Sequence, residues 1–183
     1  TATAIAIGTG VALGLFQTLG LAAEGVGNRE DYGAVLQCLA AFLACSGFCV
    51  MYNVHGWGVV LCCLGGALGW AVYLAMGMVT GSIYLRYLVA GIAIAAYAEA
   101  MARVRKYPIT AYLVVSFFPL VPGSYIYYAM YYAIQGQRQL FLESGIQALG
   151  LASCLAIGTL LVSTTVRTCV TWRRERRMKR DTL

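Results

Sequence analysis

Apolar residues in this chain come in long uninterrupted blocks separated by short polar punctuation, with no strand-like alternation. The blocks fall at residues 2–23, 33–54, 57–78, 82–102, 108–134 and 144–166, the last extending to about 170. Each matches the length needed to cross a hydrocarbon core about 30 Å thick. The punctuation is tight. Asn53, Val54 and His55 separate the second and third blocks, and Arg103, Arg105 and Lys106 separate the fourth and fifth. The pattern predicts an all-α integral membrane protein, a polytopic bundle of about six transmembrane helices forming one domain over residues 1–183. Residues 171–183 are expected to be a basic cytoplasmic tail.

The fifth block is interrupted. It carries Pro119, Pro122 and Gly123 in its middle. A proline inside a helix offers no N–H, and its ring collides with the carbonyl four residues back, so the carbonyls of Val115 and Phe118 are expected to lose their helical partners. Counting from Pro108 at about 1.5 Å per residue puts the break roughly 16–22 Å into the membrane. Freed backbone groups are tolerated at that depth only where protein or a water-lined cavity satisfies them. A broken helix near the midplane is how many transporters hold a solute. Ser124 is expected to cap a second half-helix starting near Tyr125, whose positive end suits a carboxylate. The alternative is a packing kink with no ligand. Ser116, Pro119, Pro122, Gly123, Ser124, Tyr125 and Tyr128 are therefore the candidate substrate-binding residues.

Composition supports the membrane reading: 61% of the 183 residues are hydrophobic and 11% charged, against about 25% charged in soluble domains. Mean hydropathy is +0.75. A net charge of +6 raises the question of nucleic acid, but the basic residues crowd the 103–106 loop and the last dozen positions, as anchors do. No nucleic-acid partner is expected. Placing that loop and the C-terminus inside the cell puts ten of the thirteen Lys and Arg residues there and leaves Arg29, Arg86 and Arg138 outside. Both termini are then expected to be cytoplasmic. The first block lacks a basic n-region and a convincing cleavage site, so it reads as a span rather than a signal peptide.

Nothing in the chain points to catalysis. No nucleophile–base pair, metal-spaced histidine set, Gly-rich phosphate loop or pair of intramembrane carboxylates occurs, so neither an enzyme nor a cofactor is expected. Nor does a ring of like charges or a carbonyl filter suggest a channel. The seven cysteines lie in or beside apolar blocks and read as small packing residues, without disulfides or metal. Glu99 and Arg103 have the i,i+4 spacing of an interfacial ion pair; the sharper reading is a coupling or gating pair. Asn53 and His55 read first as a polar turn, and beyond that as further coupling or gating candidates. Of the thirteen tyrosines, Tyr125, Tyr128 and Tyr132 share one helical face and Tyr127 and Tyr131 another. Glycine pairs such as Gly65–Gly69 allow close helix approach and leave a homo-oligomer open.

These features together resemble a known family. Tyr52-Asn53-Val54 in a short turn, the basic lead-in Arg103–Pro108, and Phe118-Pro119-Leu120-Val121-Pro122-Gly123 followed by Tyr127 and Met130 resemble the C-terminal half of the threonine/serine exporter family. The resemblance covers about residues 34–168. It implies a small subunit of a two-component exporter in the bacterial inner membrane. That subunit would move threonine and serine by the proton motive force, with a larger membrane protein as partner. Some relatives would carry small dicarboxylates such as succinate instead. A non-transporting scaffold or regulatory subunit is the contrasting reading.

Overall fold

A computed structural model describes residues 33–105 and 108–181; the first expected span, residues 2–23, lies outside them. The described chain is helical and contains no strand: α1 Ala34–Met51, α2 Trp57–Val79, α3 Ile83–Arg105, α4 Ile109–Phe117, a 3-10 turn Phe118–Leu120, α5 Gly123–Ile134 and α6 Arg138–Asp181. Among the described residues, α1, α2, α3 and the Arg138–Val170 part of α6 are long and apolar enough to cross a membrane. The segment from α4 through α5 makes a fifth candidate, bent by 59°. Five candidates here accord with a polytopic bundle of about six.

The ends of the helices follow from local chemistry. Asn53 takes a left-handed φ of 55°, its amide reaches the Val50 carbonyl at 3.2 Å and the Val54 amide reaches Cys49 at 2.9 Å. That is a Schellman stop, with asparagine where glycine is usual. Gly136, φ 71°, ends α5 the same way through Gly136 N–H to Ala133 and Gln137 N–H to Tyr132. Thr80 and Gly77, at the end of α2, give their carbonyls to the guanidinium of Arg86 at 3.0 and 3.3 Å.

The last helix is longer than hydropathy predicts. It starts at Arg138 rather than near Ser144, and its backbone stays helical to Asp181, through most of the expected tail. Hydropathy marks the part of a helix that sits in hydrocarbon. Arg, Gln and Glu are good helix formers wherever their polarity costs nothing, and Arg138, Gln139 and Glu143 extend the helix beyond that zone.

Helix α2 packs against α1 and α3, α3 runs beside α6, and α4 lodges against α1, α2 and α3, whereas α5 packs on α6. The α3–α6 crossing is close enough that a Cβ on Gly158 would stand 3.0 Å from the Leu88 carbonyl. One core gathers Cys45, Cys49, Cys62, Cys63, Tyr112 and Val115. Its cysteines are unbridged and packed as small side chains. A second core joins Tyr87, Ile94 and Leu120 to Leu151 and Leu155. Outward faces carry exposed Leu39, Leu43, Met78, Leu149 and Leu160, the arrangement suited to lipid rather than water.

Candidate substrate site at the broken span

The break rests on a face of α2 that has no side chains. Gly65, Gly66 and Gly69 lie along it, and each is filled by a neighbour. A Cβ on Gly65 would collide with the Ser116 hydroxyl and stand 2.9 Å from the Tyr97 ring; one on Gly66 would strike the Cys45 thiol and meet Pro119 at 3.4 Å; one on Gly69 would strike Ile94 and meet Leu120 at 3.6 Å. Ser116 and Leu120 are fully buried. The Ser116 hydroxyl donates to the Cys62 carbonyl at 3.2 Å, and Phe118 stacks on Phe48 with ring centroids 3.3 Å apart. The spacing of Gly65 and Gly69 was legible as a packing signal; its partner, the break itself, was not.

The backbone at the break repairs itself. The Val115 carbonyl accepts the Phe118 amide and the Cys45 thiol, at 3.4 Å. The Phe118 carbonyl accepts the Val121 amide at 3.2 Å. Tightening from i→i+4 to i→i+3 bonding is the usual way a helix end re-pairs its carbonyls. Pro122, at φ −74° and ψ 52°, then forms an inverse γ-turn closed by Gly123 N–H to Val121 O at 2.7 Å. This corrects the expected cap. Helix α5 begins at Gly123 with Pro122 at its N-cap and no side-chain capping bond, because the γ-turn restarts the helix early and leaves Ser124 inside the first turn.

The break packs against the middle of two arginine-bounded stretches. Leu120 packs with Ile94, Leu151 and Leu155. Ile94 lies at the centre of the stretch between Arg86 and Arg103, and Leu151 and Leu155 flank the centre of that between Arg138 and Arg167. If the arginines mark the two interfaces, the break is at mid-depth.

Its other side is open. Gly123 has nothing within 4 Å of where a Cβ would stand, Val121 is exposed, and Ser124 and Tyr125 are half-buried. Beyond it, a cleft of about 230 Å³ between α5 and α6 is lined by Tyr125, Tyr128, Tyr132, Glu143, Ser144 and Gln147. Tyr128 and Tyr132 stack at 6.2 Å, and Tyr127 and Tyr131 stack at 6.4 Å. The two tyrosine faces are those expected from spacing.

The sequence model of the family "Threonine/Serine exporter, ThrE" matches residues 37–165, from α1 to deep within α6. The chain belongs to the threonine/serine exporter family. No curated protein and no solved structure matches it. This exporter-family chain thus carries the broken span, the glycine seat and the tyrosine cleft within its matched region.

The remaining candidates of this family member lie at the end of the bundle that carries Arg103 and Arg105. His55 Nδ1 donates to the Asn53 carbonyl at 2.9 Å, and His55 lines a cavity of about 40 Å³ with Arg105, Tyr112 and Cys62, space for a water or two. Arg103 and Glu99 form the i,i+4 pair at 3.4 Å, in a different groove between α3 and α6. The structure therefore does not bring the two pairs into one site. Two residues of the cleft escaped the sequence reading. Glu143 and Gln147 recur at i,i+4 on the face toward α5, a pairing hidden because α6 was expected to begin at Ser144, which left Glu143 outside the helix and Gln147 without its partner.

Proposed function

We propose that this chain is a membrane subunit of an exporter for threonine and serine. In this reading it works in the bacterial cytoplasmic membrane with a larger partner corresponding to the family's N-terminal half, and the proton motive force drives it. The family match across residues 37–165, which contains the broken span, carries the reading. The open face of the break and the adjoining cleft then form the substrate site. A helix N-terminus presents amides without intrahelical partners, so the first turn of α5 meets the substrate carboxylate through the amides of Ser124 and Tyr125, while Gly123, whose own amide closes the γ-turn, leaves the approach open. The carbonyls of Val115 and Phe118 already hold partners within the chain. The ammonium role therefore falls to Glu143, with the hydroxyls of Tyr125 and Tyr128 around it. A carboxylate in the lining attracts an ammonium and repels a second carboxylate, so Glu143 favours amino acids over succinate. At the basic end, His55 and Glu99, the latter with Arg103, are the groups through which a proton is coupled; Asn53 shapes the turn that holds His55.

One observation favours the second reading, a non-transporting scaffold: Ser116, Cys45 and Ile94 fill the glycine face of α2, and Pro119 and Leu120 pack against it, so this side of the break is built for packing. Efflux of labelled threonine, serine and succinate separates the readings, measured in cells holding this chain, its larger partner, or both. Efflux of the two amino acids only with both chains present is expected. Well-inserted protein that exports nothing in any combination would leave the scaffold reading standing.

A further inference from the structure

We infer that the groove between α3 and α6 at the basic end is a binding site for one anionic phospholipid. The groove encloses about 560 Å³. Its walls are apolar, from Ala96 and Ala100 on α3 and Val162 and Val166 on α6, and its polar rim is Glu99 and Arg103. In a bilayer such a groove opens toward the acyl chains, with its rim at headgroup depth. Arg103 suits a phosphate there. Its guanidinium has five donors, its side chain is 50% exposed, and its partner Glu99, at 14%, lies deeper and takes one bond at 3.4 Å. That pair neutralises Glu99, so the carboxylate does not oppose the phosphate, while donors of Arg103 remain to receive it. Trp172 belongs to the same groove and suits headgroup depth, where amphipathic aromatics collect.

The surrounding charge argues for an anionic lipid over a neutral one. Arg105 ends α3 at the same level but on the side of the His55 cavity, and α6 continues past the groove as a helix through Arg173, Arg174, Arg176 and Arg177. Each basic residue near a membrane surface attracts anionic lipid by about 1 kcal/mol. Glu99, a candidate for proton coupling, sits within the same groove, so the lipid would touch the pair that faces the basic end.

The test uses the full chain purified in detergent. Native mass spectrometry and thermal unfolding are recorded after adding phosphatidylglycerol, phosphatidylcholine or inorganic phosphate. One retained phosphatidylglycerol and a raised unfolding temperature are expected, with phosphatidylcholine and phosphate giving neither. Arg103→Gln should weaken phosphatidylglycerol roughly fivefold, the effect of one basic residue. Ala100→Phe, at an exposed position, should abolish retention by filling the groove even if Arg103→Gln folds poorly. Equal retention of phosphatidylcholine, equal stabilisation by phosphate, or retention undiminished in Ala100→Phe would each overturn the proposal.

Discussion

The hydroxyl of Ser116 occupies the space that a side chain on Gly65 would fill, and from there it donates to the Cys62 carbonyl at 3.2 Å. Glycine and serine are thus one fitted pair, joining the middle of α2 to the last turn of α4. Gly65→Ala should cost about 1–3 kcal/mol, as overpacking does. Ser116→Ala alone should cost about 0.6 kcal/mol, the average for a hydrogen bond between membrane helices. Because Ser116→Ala also removes the colliding oxygen, Gly65→Ala should cost less in that background. Denaturant unfolding of the four proteins in detergent tests this, and identical costs in both backgrounds would refute the pairing.

Restoring amides at the break should straighten the span. In Pro122→Ala/Gly123→Ala the γ-turn loses the residue that sets its φ, and residue 122 regains an N–H for the Phe118 carbonyl. Spin labels at positions 109 and 134 should then move apart as the 59° bend opens, and efflux should fall. Unchanged efflux from folded protein would place the substrate site elsewhere.

Glu143 is the cleft's carboxylate, and its replacement should be felt by the ammonium of the substrate. Glu143→Gln is expected to raise the KM for threonine about tenfold, the scale of one hydrogen bond to a charged group, with a smaller change in kcat. Glu143→Asp should recover part of the loss. Export of succinate relative to threonine should increase in Glu143→Gln, since a repelling charge is gone. Matching kinetics for wild type and Glu143→Gln would rule this residue out as the ammonium partner.

Arg86 closes the end of α2 from the start of α3, through two carbonyls. Arg86→Gln should lower unfolding stability by about 1–2 kcal/mol, combining lost charge-assisted bonds with the lost interaction at a helix C-terminus. Arg86→Lys should fall between, because lysine cannot reproduce the planar fork. A lysine variant as stable as the wild type would show that charge alone suffices.

The break was legible in the sequence because proline removes an N–H wherever it stands, and Pro119 and Pro122 stand inside an apolar block. How the backbone recovers was not: a 3-10 turn followed by a γ-turn at Pro122 depends on torsions that residue types do not dictate, which is why Ser124 falls inside α5 rather than before it. The direction in which the break faces was equally hidden. Gly65 and Gly69 announce a close approach without naming what approaches. Glu143, and with it the i,i+4 pairing to Gln147, was obscured for a different reason, since hydropathy reports on the solvent around a helix and not on where the helix starts.

The two halves of the broken span answer to different neighbours: α4 is lodged among α1, α2 and α3, while α5 lies along α6. In mechanical terms this bent pair of helices is a coupling rod with a joint in it. Within the span, a tilt of the α5–α6 hairpin reaches α4 only through Phe118–Pro122, whose near end is pinned by Phe48 and the glycine seat. Leverage between the two halves is therefore concentrated at one point, beside the open face of the cleft.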